Sequence, residues 1–188
     1  MSLTIHSTHL DGIVVLSPRI FRDARGMFLE SYHEKVFADL GLPTEFVQDN
    51  HSRSSKGVLR GMHFQWSEPM GKLLRVTRGA IELVELDIRV DSPTYGQHVT
   101  IPVDDVDNRI VWIPPGFANG FLVLSDVADV LYKCTALHNP QAEGSVRWDS
   151  FGKEWPTASP VLSDKDAAAM SLQEWSERPE ARLFKMGM

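Results

Sequence analysis

Apolar and polar residues alternate along short stretches in the middle of the chain, as they do in β-strands. The clearest alternation covers residues 82–90, where one set of alternate positions is apolar and the other is mostly charged. The apolar face carries Val84, Leu86, Ile88 and Val90, and the opposite face carries Glu85, Asp87 and Arg89. This pattern predicts a half-buried strand, covered on its apolar face.

Similar stretches follow one another closely and are separated by turn signals rich in Gly, Pro, Asp and Asn. They cover residues 12–16, 27–30, 57–65, 73–77, 99–103, 110–113, 120–124 and 130–135. Strands at this spacing, without helices between them, predict an all-β antiparallel sandwich or barrel. Helices are expected only at the periphery, at residues 33–40 and from about Ser163.

The composition is that of a globular protein that can form a core without disulfides. The chain has 188 residues, 43% of them hydrophobic, and shows no repeat or flexible linker, so we expect one domain spanning residues 1–188. Cys134 is the single cysteine, which excludes an intramolecular disulfide and fits a reducing compartment such as the cytoplasm. The N-terminal residues lack a long apolar run, and the formal net charge is −6, so we expect neither membrane nor nucleic-acid binding.

Reactive side chains concentrate in residues 48–65, where a strand should be apolar. The ordinary interpretation of His63 is a buried histidine bonded to a backbone carbonyl, and the alternative is a reactive group. Strict alternation places Arg60 on the opposite face from His63. A bulge at Gly61, or the end of the strand beside a pocket, would let both side chains reach one ligand.

Three further polar residues are candidates for the same site. Lys72 and Tyr132 each share a strand face with apolar residues, and Asp166 lies three positions after Ser163 at a predicted helix start. Each also has an ordinary explanation, as a solvated lysine, a packed tyrosine and a carboxylate near a helix N-terminus. Taken singly, none of them identifies a reaction.

A metal site is not expected. Jelly-roll metalloenzymes often use a His-x-His pair on one strand and a further His after a Pro-x-Gly turn. Here Gln65 follows His63 where a second imidazole would stand, and Asn119 stands where the further His would be. One imidazole and two neutral amides are a poor ligand set for Zn²⁺ or Fe²⁺.

Together these segments resemble the dTDP-4-dehydrorhamnose 3,5-epimerases and related nucleotide-sugar epimerases, from about residue 21 to residue 166. The similar blocks include 21–30 (FRDARGMFLE), 48–52 (QDNHS), 57–65 (GVLRGMHFQ), 92–96 (SPTYG), 112–118 (WIPPGFA), 143–145 (EGS) and 162–166 (LSDKD). The resemblance implies a cupin-type jelly-roll fold, a homodimer, no cofactor and a dTDP-linked 4-keto-6-deoxyhexose as substrate. It therefore predicts an isomerase that supplies a deoxysugar for carbohydrate biosynthesis.

The resemblance also implies roles for individual residues. His63 is the base, Asp166 is its carboxylate partner, Tyr132 is the acid on the opposite face of the sugar, and Lys72 holds the negative charge on O4. Such a set suits a 4-keto sugar, because the carbonyl acidifies the hydrogens on C3 and C5. The implied substrate contacts are Arg25, Glu30, Gln48, Asn50, Arg60, Glu143 and Lys165, with Phe21 and Phe28 available to stack on thymine.

One position departs from the family pattern. Asn119 replaces a histidine that contacts the sugar, so an imidazole that can become cationic is exchanged for a neutral amide. This leaves open a 3-epimerase that acts at a single carbon, beside the 3,5-epimerase that the other blocks favour. A cupin that binds a sugar nucleotide without turnover is a third possibility, which the retained acid and base disfavour. The residues after Leu172 match no motif that indicates a function.

Overall fold

The computed structural model describes residues 2–187 and contains thirteen β-strands over that range. The strands are β1 (Leu3–His9), β2 (Ile13–Pro18), β3 (Ile20–Asp23), β4 (Gly26–Leu29), β5 (Gln48–Ser55), β6 (Leu59–Gln65), β7 (Lys72–Arg78), β8 (Ala80–Asp87), β9 (His98–Asp104), β10 (Ile110–Ile113), β11 (Phe117–Val123), β12 (Val127–Cys134) and β13 (Glu143–Ser145). The α-helices are α1 (Glu34–Asp39), α2 (Asp164–Ala167) and α3 (Leu172–Glu177), and two 3₁₀ helices cover Pro140–Ala142 and Pro179–Leu183.

The strands form two facing antiparallel sheets and a separate hairpin. The first sheet has the order β1-β2-β10-β7-β12-β5, the second has the order β13-β6-β11-β8-β9, and β3 pairs only with β4. Apolar side chains from both sheets form the core between them, including Leu74, Leu83, Val111, Phe121 and Val130. The predicted all-β antiparallel sandwich with peripheral helices is confirmed. No helix in residues 2–187 is long and apolar enough to cross a membrane.

The predicted strand at residues 82–90 exists, but it ends at Asp87 and is buried on both faces. Ile81, Leu83 and Glu85 point into the space between the sheets, whereas Val84 and Leu86 point outward. The expectation of a half-buried strand was therefore wrong. One face of β8 meets the first sheet, and residues of the C-terminal segment cover the other face.

The C-terminal segment covers the outer face of the second sheet. Trp175 on α3 and Phe184 are almost fully buried, and they pack against Phe64, Val84 and Leu86. The ring centroids of Phe64 and Trp175 are 4.4 Å apart. The residues after Leu172, which sequence patterns left uninterpreted, thus complete a second apolar core.

A bulge in β6 changes which of its side chains face the interior. His63 pairs with Asn119 and Arg60 pairs with Phe121, so one additional residue of β6 lies between the two pairs. Because paired residues point to the same side of a sheet, Arg60 and His63 share one face. Gly61 has a φ of +140°, and a Cβ atom there would lie 2.5 Å from the Cα atom of Gly120. The bulge is thus the one of the two proposed arrangements that is present, and a side chain at position 61 would prevent it.

Both predicted helices are confirmed, but some strands were missed. α1 lies within residues 33–40, and α2 begins after Ser163, whose hydroxyl accepts a hydrogen bond from the N–H of Asp166. The strands β1, β3, β5 and β13 were not predicted. β1, β5 and β13 are edge strands, and β5 consists entirely of polar residues, so hydrophobic alternation cannot reveal it.

Candidate active site

A cavity of about 240 Å³ lies between the two sheets, with walls from both of them. Strands β5, β7 and β12 of the first sheet contribute to one side, and β6 and β13 of the second sheet contribute to the other. The lining residues are Gln48, Asn50, His63, Phe64, Gln65, Met70, Lys72, Tyr132, His138 and Glu143. The cavity thus contains two imidazoles, a phenol, an amine, a carboxyl group and several amides.

His63 on β6 and Asp166 on α2 form an imidazole–carboxylate pair. The Nε2 atom of His63 is 2.5 Å from the Oδ1 atom of Asp166. Asp166 is buried, and the bulge in β6 directs the imidazole to the interior. Burial raises the pKa of Asp166, but the hydrogen bond and charge of His63 act against burial. The pKa of Asp166 therefore lies below its ordinary value. The carboxylate is therefore ionised near neutral pH and can stabilise an imidazolium.

Tyr132 and Lys72 approach the cavity from the first sheet. The Nζ atom of Lys72 lies 5.9 Å from the centroid of the Tyr132 ring. Burial raises the pKa of Tyr132, so the phenol keeps its proton at neutral pH and can donate it. Burial lowers the pKa of Lys72, and the charges of Glu85 and nearby acidic groups act against this effect. The predicted inward direction of Tyr132 is confirmed, and Lys72, for which a solvated position was left open, also lines the cavity.

Asn119 on β11 connects Lys72 to a residue that sequence reasoning missed. Its Oδ1 atom accepts a hydrogen bond from Lys72 Nζ at 3.3 Å, and its Nδ2 atom donates one to Glu85 Oε1 at 2.6 Å. Asn119 and Glu85 are both buried, and they lie opposite each other on β11 and β8. The sequence pattern gave no signal for Glu85, because it placed this residue on the charged face of a strand that was expected to be half-buried.

The candidate substrate contacts near the cavity form a polar rim. Gln48 and Asn50 line the cavity from β5, and the Oε2 atom of Glu143 is 2.5 Å from Lys165 Nζ. Arg60 is exposed, and its Nε atom donates a hydrogen bond to Ser54 at 2.9 Å. Through the bulge, Arg60 shares the face of β6 that carries His63. Burial raises the pKa of Tyr132, and the charge of Arg60 acts against this effect.

The candidate contacts on the β3–β4 hairpin lie apart from this cavity. Phe21 and Phe28 face each other with ring centroids 6.4 Å apart, and both are exposed. With Arg25 they border a separate surface depression, whose walls come from the hairpin alone. Glu30, just after the hairpin, accepts a hydrogen bond from Ser2. A single copy of the chain therefore does not bring these residues to His63.

His138 is a further cavity residue that sequence reasoning did not identify. Its Nε2 atom is 3.3 Å from Glu143 Oε2, and its backbone N–H donates to Gln48 Oε1 at 2.9 Å. It lies in the irregular segment after β12, where alternation carries no information about direction. Within residues 2–187, no three His, Cys, Asp or Glu residues lie close enough together to hold a metal ion.

Comparison with known proteins identifies the family to which this chain belongs. The family model described as dTDP-4-dehydrorhamnose 3,5-epimerase matches residues 7–174. The dTDP-4-dehydrorhamnose 3,5-epimerase of Salmonella typhimurium is 45% identical over 177 residues, which are 92% of this chain and 97% of that protein. This chain belongs to the dTDP-4-dehydrorhamnose 3,5-epimerase family. The resemblance inferred from its sequence blocks is confirmed.

Solved structures of similar epimerases have the same fold. The dTDP-6-deoxy-D-glucose-3,5-epimerase of Legionella pneumophila, in complex with dTDP-4-keto-L-rhamnose, is 41% identical with a TM-score of 0.91, and the match covers 99% of both chains. A 4-keto-6-deoxy sugar epimerase of Streptomyces spheroides is 33% identical with a TM-score of 0.92, covering 99% of this chain and 94% of that one. The epimerase described here is thus an isomerase with the cupin-type jelly-roll fold of its family.

Proposed function

We propose that this epimerase converts dTDP-4-dehydro-6-deoxyglucose to dTDP-4-dehydrorhamnose by inverting C3 and C5 without a cofactor. The observation that supports this function best is that the His63–Asp166 pair, Tyr132 and Lys72 border one cavity between the two sheets. A base and an acid that reach a ligand from opposite sheets are what inversion at carbon requires, since the proton must leave one face and return to the other.

The chemistry starts from the C4 carbonyl group of the sugar. His63 removes the hydrogen from a carbon next to this carbonyl, and Asp166 stabilises the imidazolium that forms. The electron pair moves to O4, where the Lys72 ammonium group stabilises the growing negative charge. Tyr132 then donates its proton to the opposite face of the carbon, which restores the carbonyl with inverted configuration. Before the second cycle the imidazolium of His63 releases its proton to solvent and the phenolate of Tyr132 takes one up from solvent. The same steps at the second carbon then complete the reaction.

We assign the nucleotide end of the substrate to the polar rim of the cavity, which consists of Gln48, Asn50, Arg60, Glu143 and Lys165. Arg60 is suited to the diphosphate, because a guanidinium can make two charge-assisted hydrogen bonds to phosphate oxygens. Gln48, Asn50, Glu143 and Lys165 surround the cavity with neutral and charged hydrogen-bonding groups. Their burial is incomplete, which fits contact with a ligand that enters from solvent.

We also propose that the working form is a cytoplasmic homodimer in which the whole chain acts as one epimerase domain. Phe21, Phe28 and Arg25 project from the hairpin and are exposed in the single chain. If they bind the substrate, a hairpin has to reach the cavity of a second copy. Mixed dimers test this arrangement. We expect two variants to be inactive on their own: one carries His63→Ala, and the other carries both Arg25→Ala and Phe28→Ala. When the two are refolded together, about a quarter of wild-type activity should return. No recovery would contradict a shared site.

Incubation with dTDP-4-keto-6-deoxyglucose in D₂O tests the proposed activity directly. NMR spectra of the sugar should show deuterium at both C3 and C5, together with the signals of dTDP-4-keto-rhamnose. Deuterium at C3 alone would identify a single-carbon epimerase, and no exchange in the presence of bound substrate would exclude the proposed activity.

A further inference from the structure

Glu85 is a buried acidic residue that the mechanism above does not use. It lies on β8 with 0% of its surface exposed, and its Oε2 atom has no hydrogen-bond partner within residues 2–187. Burial raises the pKa of Glu85 well above its ordinary value, against the hydrogen bond of Asn119 and the charge of Lys72. A buried carboxyl group with an unpaired oxygen destabilises a fold. Core packing therefore does not explain why an acidic residue is present here.

The Asn119 amide connects this carboxyl group to the cavity. A side-chain amide has a donor end and an acceptor end. Glu85 Oε1 binds the donor end at 2.6 Å, which turns the acceptor oxygen toward Lys72 Nζ at 3.3 Å. Asn119 also pairs with His63 on the neighbouring strand β6. Two hydrogen bonds thus connect the Glu85 carboxyl group on β8 to the Lys72 amine in the cavity, through the Asn119 amide.

We propose that Glu85 is a positioning residue of the epimerase, which acts through the Asn119 amide to hold the Lys72 ammonium group in place. This inference rests on the proposed function, in which Lys72 stabilises the charge on O4. The carboxyl group matters because it fixes the direction of the amide. Without a fixed acceptor at position 85, the amide can reverse, and its NH₂ group would then face the ammonium group and repel it.

The substitution Glu85→Gln tests this role with almost no change in shape. The new amide can either accept from Asn119 Nδ2 or donate to Asn119 Oδ1, so the direction of the Asn119 amide is no longer fixed. Because Lys72 acts mainly on charge that develops in the transition state, kcat should fall about tenfold while KM stays within about twofold. Glu82→Gln is the matched control, since Glu82 lies on the same strand, points to the outer face and pairs with Lys153 at 2.8 Å. This control should keep wild-type kcat.

A double-mutant cycle tests whether Glu85 acts through Asn119. If it does, adding Glu85→Gln to Asn119→Ala should lower kcat by less than about twofold, because the connection is already broken. An equal loss of kcat in both backgrounds, or wild-type kcat in Glu85→Gln alone, would overturn the proposal. Thermal unfolding separates this role from a structural one, since Glu85→Gln should unfold at the wild-type temperature or above it. A lower unfolding temperature with an equal loss in both backgrounds would show that Glu85 only supports the fold.

Titration of Lys72 without substrate separates this proposal from the proposed function. The pH dependence of Lys72 modification by an amine-acylating reagent, followed by peptide mass spectrometry, should shift to lower pH by about one unit in Glu85→Gln. The other titratable groups around Lys72 are unchanged in this variant: His63, Tyr132, Cys134, Glu143 and Lys165. An unshifted Lys72 titration would overturn the positioning role even if the wild-type protein epimerises the sugar. A shifted titration in a protein that does not turn over the sugar would leave the positioning intact and reject the proposed function.

Discussion

The Nε2 atom of His63 lies 2.5 Å from the Oδ1 atom of Asp166, although the two residues are 103 positions apart in the chain. β6 carries the imidazole, and the first turn of α2 carries the carboxylate. The Ser163 hydroxyl accepts a hydrogen bond from the backbone N–H of Asp166 at 3.1 Å, which fixes the start of the helix. A short helix on the periphery thus places a buried carboxylate against a histidine of the sandwich.

This pairing predicts the effect of Asp166→Asn. An amide cannot stabilise the imidazolium as a carboxylate does, so kcat should fall by at least about 100-fold while the protein remains folded. Asp164→Asn is the matched control, because Asp164 lies in the same helical turn and is exposed. Steady-state kinetics on both variants give the comparison, and similar rates for the two would contradict a role for the His63–Asp166 pair.

His63 and Tyr132 should have separable effects on hydrogen exchange. We expect His63→Ala to abolish deuterium incorporation at C3, whereas Tyr132→Phe should lose epimerised product and retain some exchange. The reason is that a base alone can remove and return a proton on its own face. NMR in D₂O measures both signals. His51→Ala serves as the control, since His51 is bound to Asp129 at 3.2 Å and lies outside the cavity. Exchange at the wild-type rate in His63→Ala would disprove its assignment as the base.

Arg60→Ala should weaken the binding of dTDP. Loss of a charge-assisted contact to the diphosphate costs about 1.5–3 kcal/mol, which corresponds to roughly a 10- to 100-fold lower affinity. Calorimetric titration with dTDP measures this change. Arg53→Ala is the matched control, because Arg53 lies on β5 and binds Asp129 at 2.7 Å. An unchanged Kd for Arg60→Ala would show that the guanidinium does not contact the nucleotide.

The reaction should not depend on a metal ion. The cavity offers the imidazoles of His63 and His138 and the carboxyl group of Glu143, but within residues 2–187 no three such side chains lie close enough together to hold Zn²⁺ or Fe²⁺. We therefore expect far less than one equivalent of transition metal in the purified protein, and undiminished activity after dialysis against EDTA. Elemental analysis and activity assays check both expectations. Activity that is lost in EDTA and restored by iron or zinc would reject the cofactor-free mechanism.

Arg89→Met should destabilise the fold strongly. Arg89 and Asp87 are both buried, and the Nη2 atom of Arg89 is 2.7 Å from the Oδ2 atom of Asp87. Removal of the guanidinium leaves Asp87 buried without its counter-charge, which costs about 3–5 kcal/mol. Chemical denaturation of the variant gives this free energy. The solvent-accessible pair of Arg178 and Glu180 is the reference, and Arg178→Ala should cause a much smaller loss of stability, because water screens its charges. Equal losses would show that the buried pair does not stabilise the fold.

The sequence by itself determined most of the strand pattern, the strand faces that Lys72 and Tyr132 share with apolar residues, and the helix start before Asp166. These features are local, because alternation and capping depend on residues a few positions apart. The ordered motif blocks determined the family as well. The bulge near Gly61 could only be offered as one of two ways to bring Arg60 and His63 to one ligand, since alternation alone separates them.

Only the tertiary structure decided what covers each face of a strand. Alternation divides the residues of β8 into two sets, but it does not show which set meets the other sheet. Trp175 and Phe184, far away in the chain, cover the apolar outer set, and this arrangement leaves Glu85 facing the interior beside Asn119. The meeting of His63 with Asp166 is decided in the same way, because the packing of distant segments, rather than local propensity, brings such residues together.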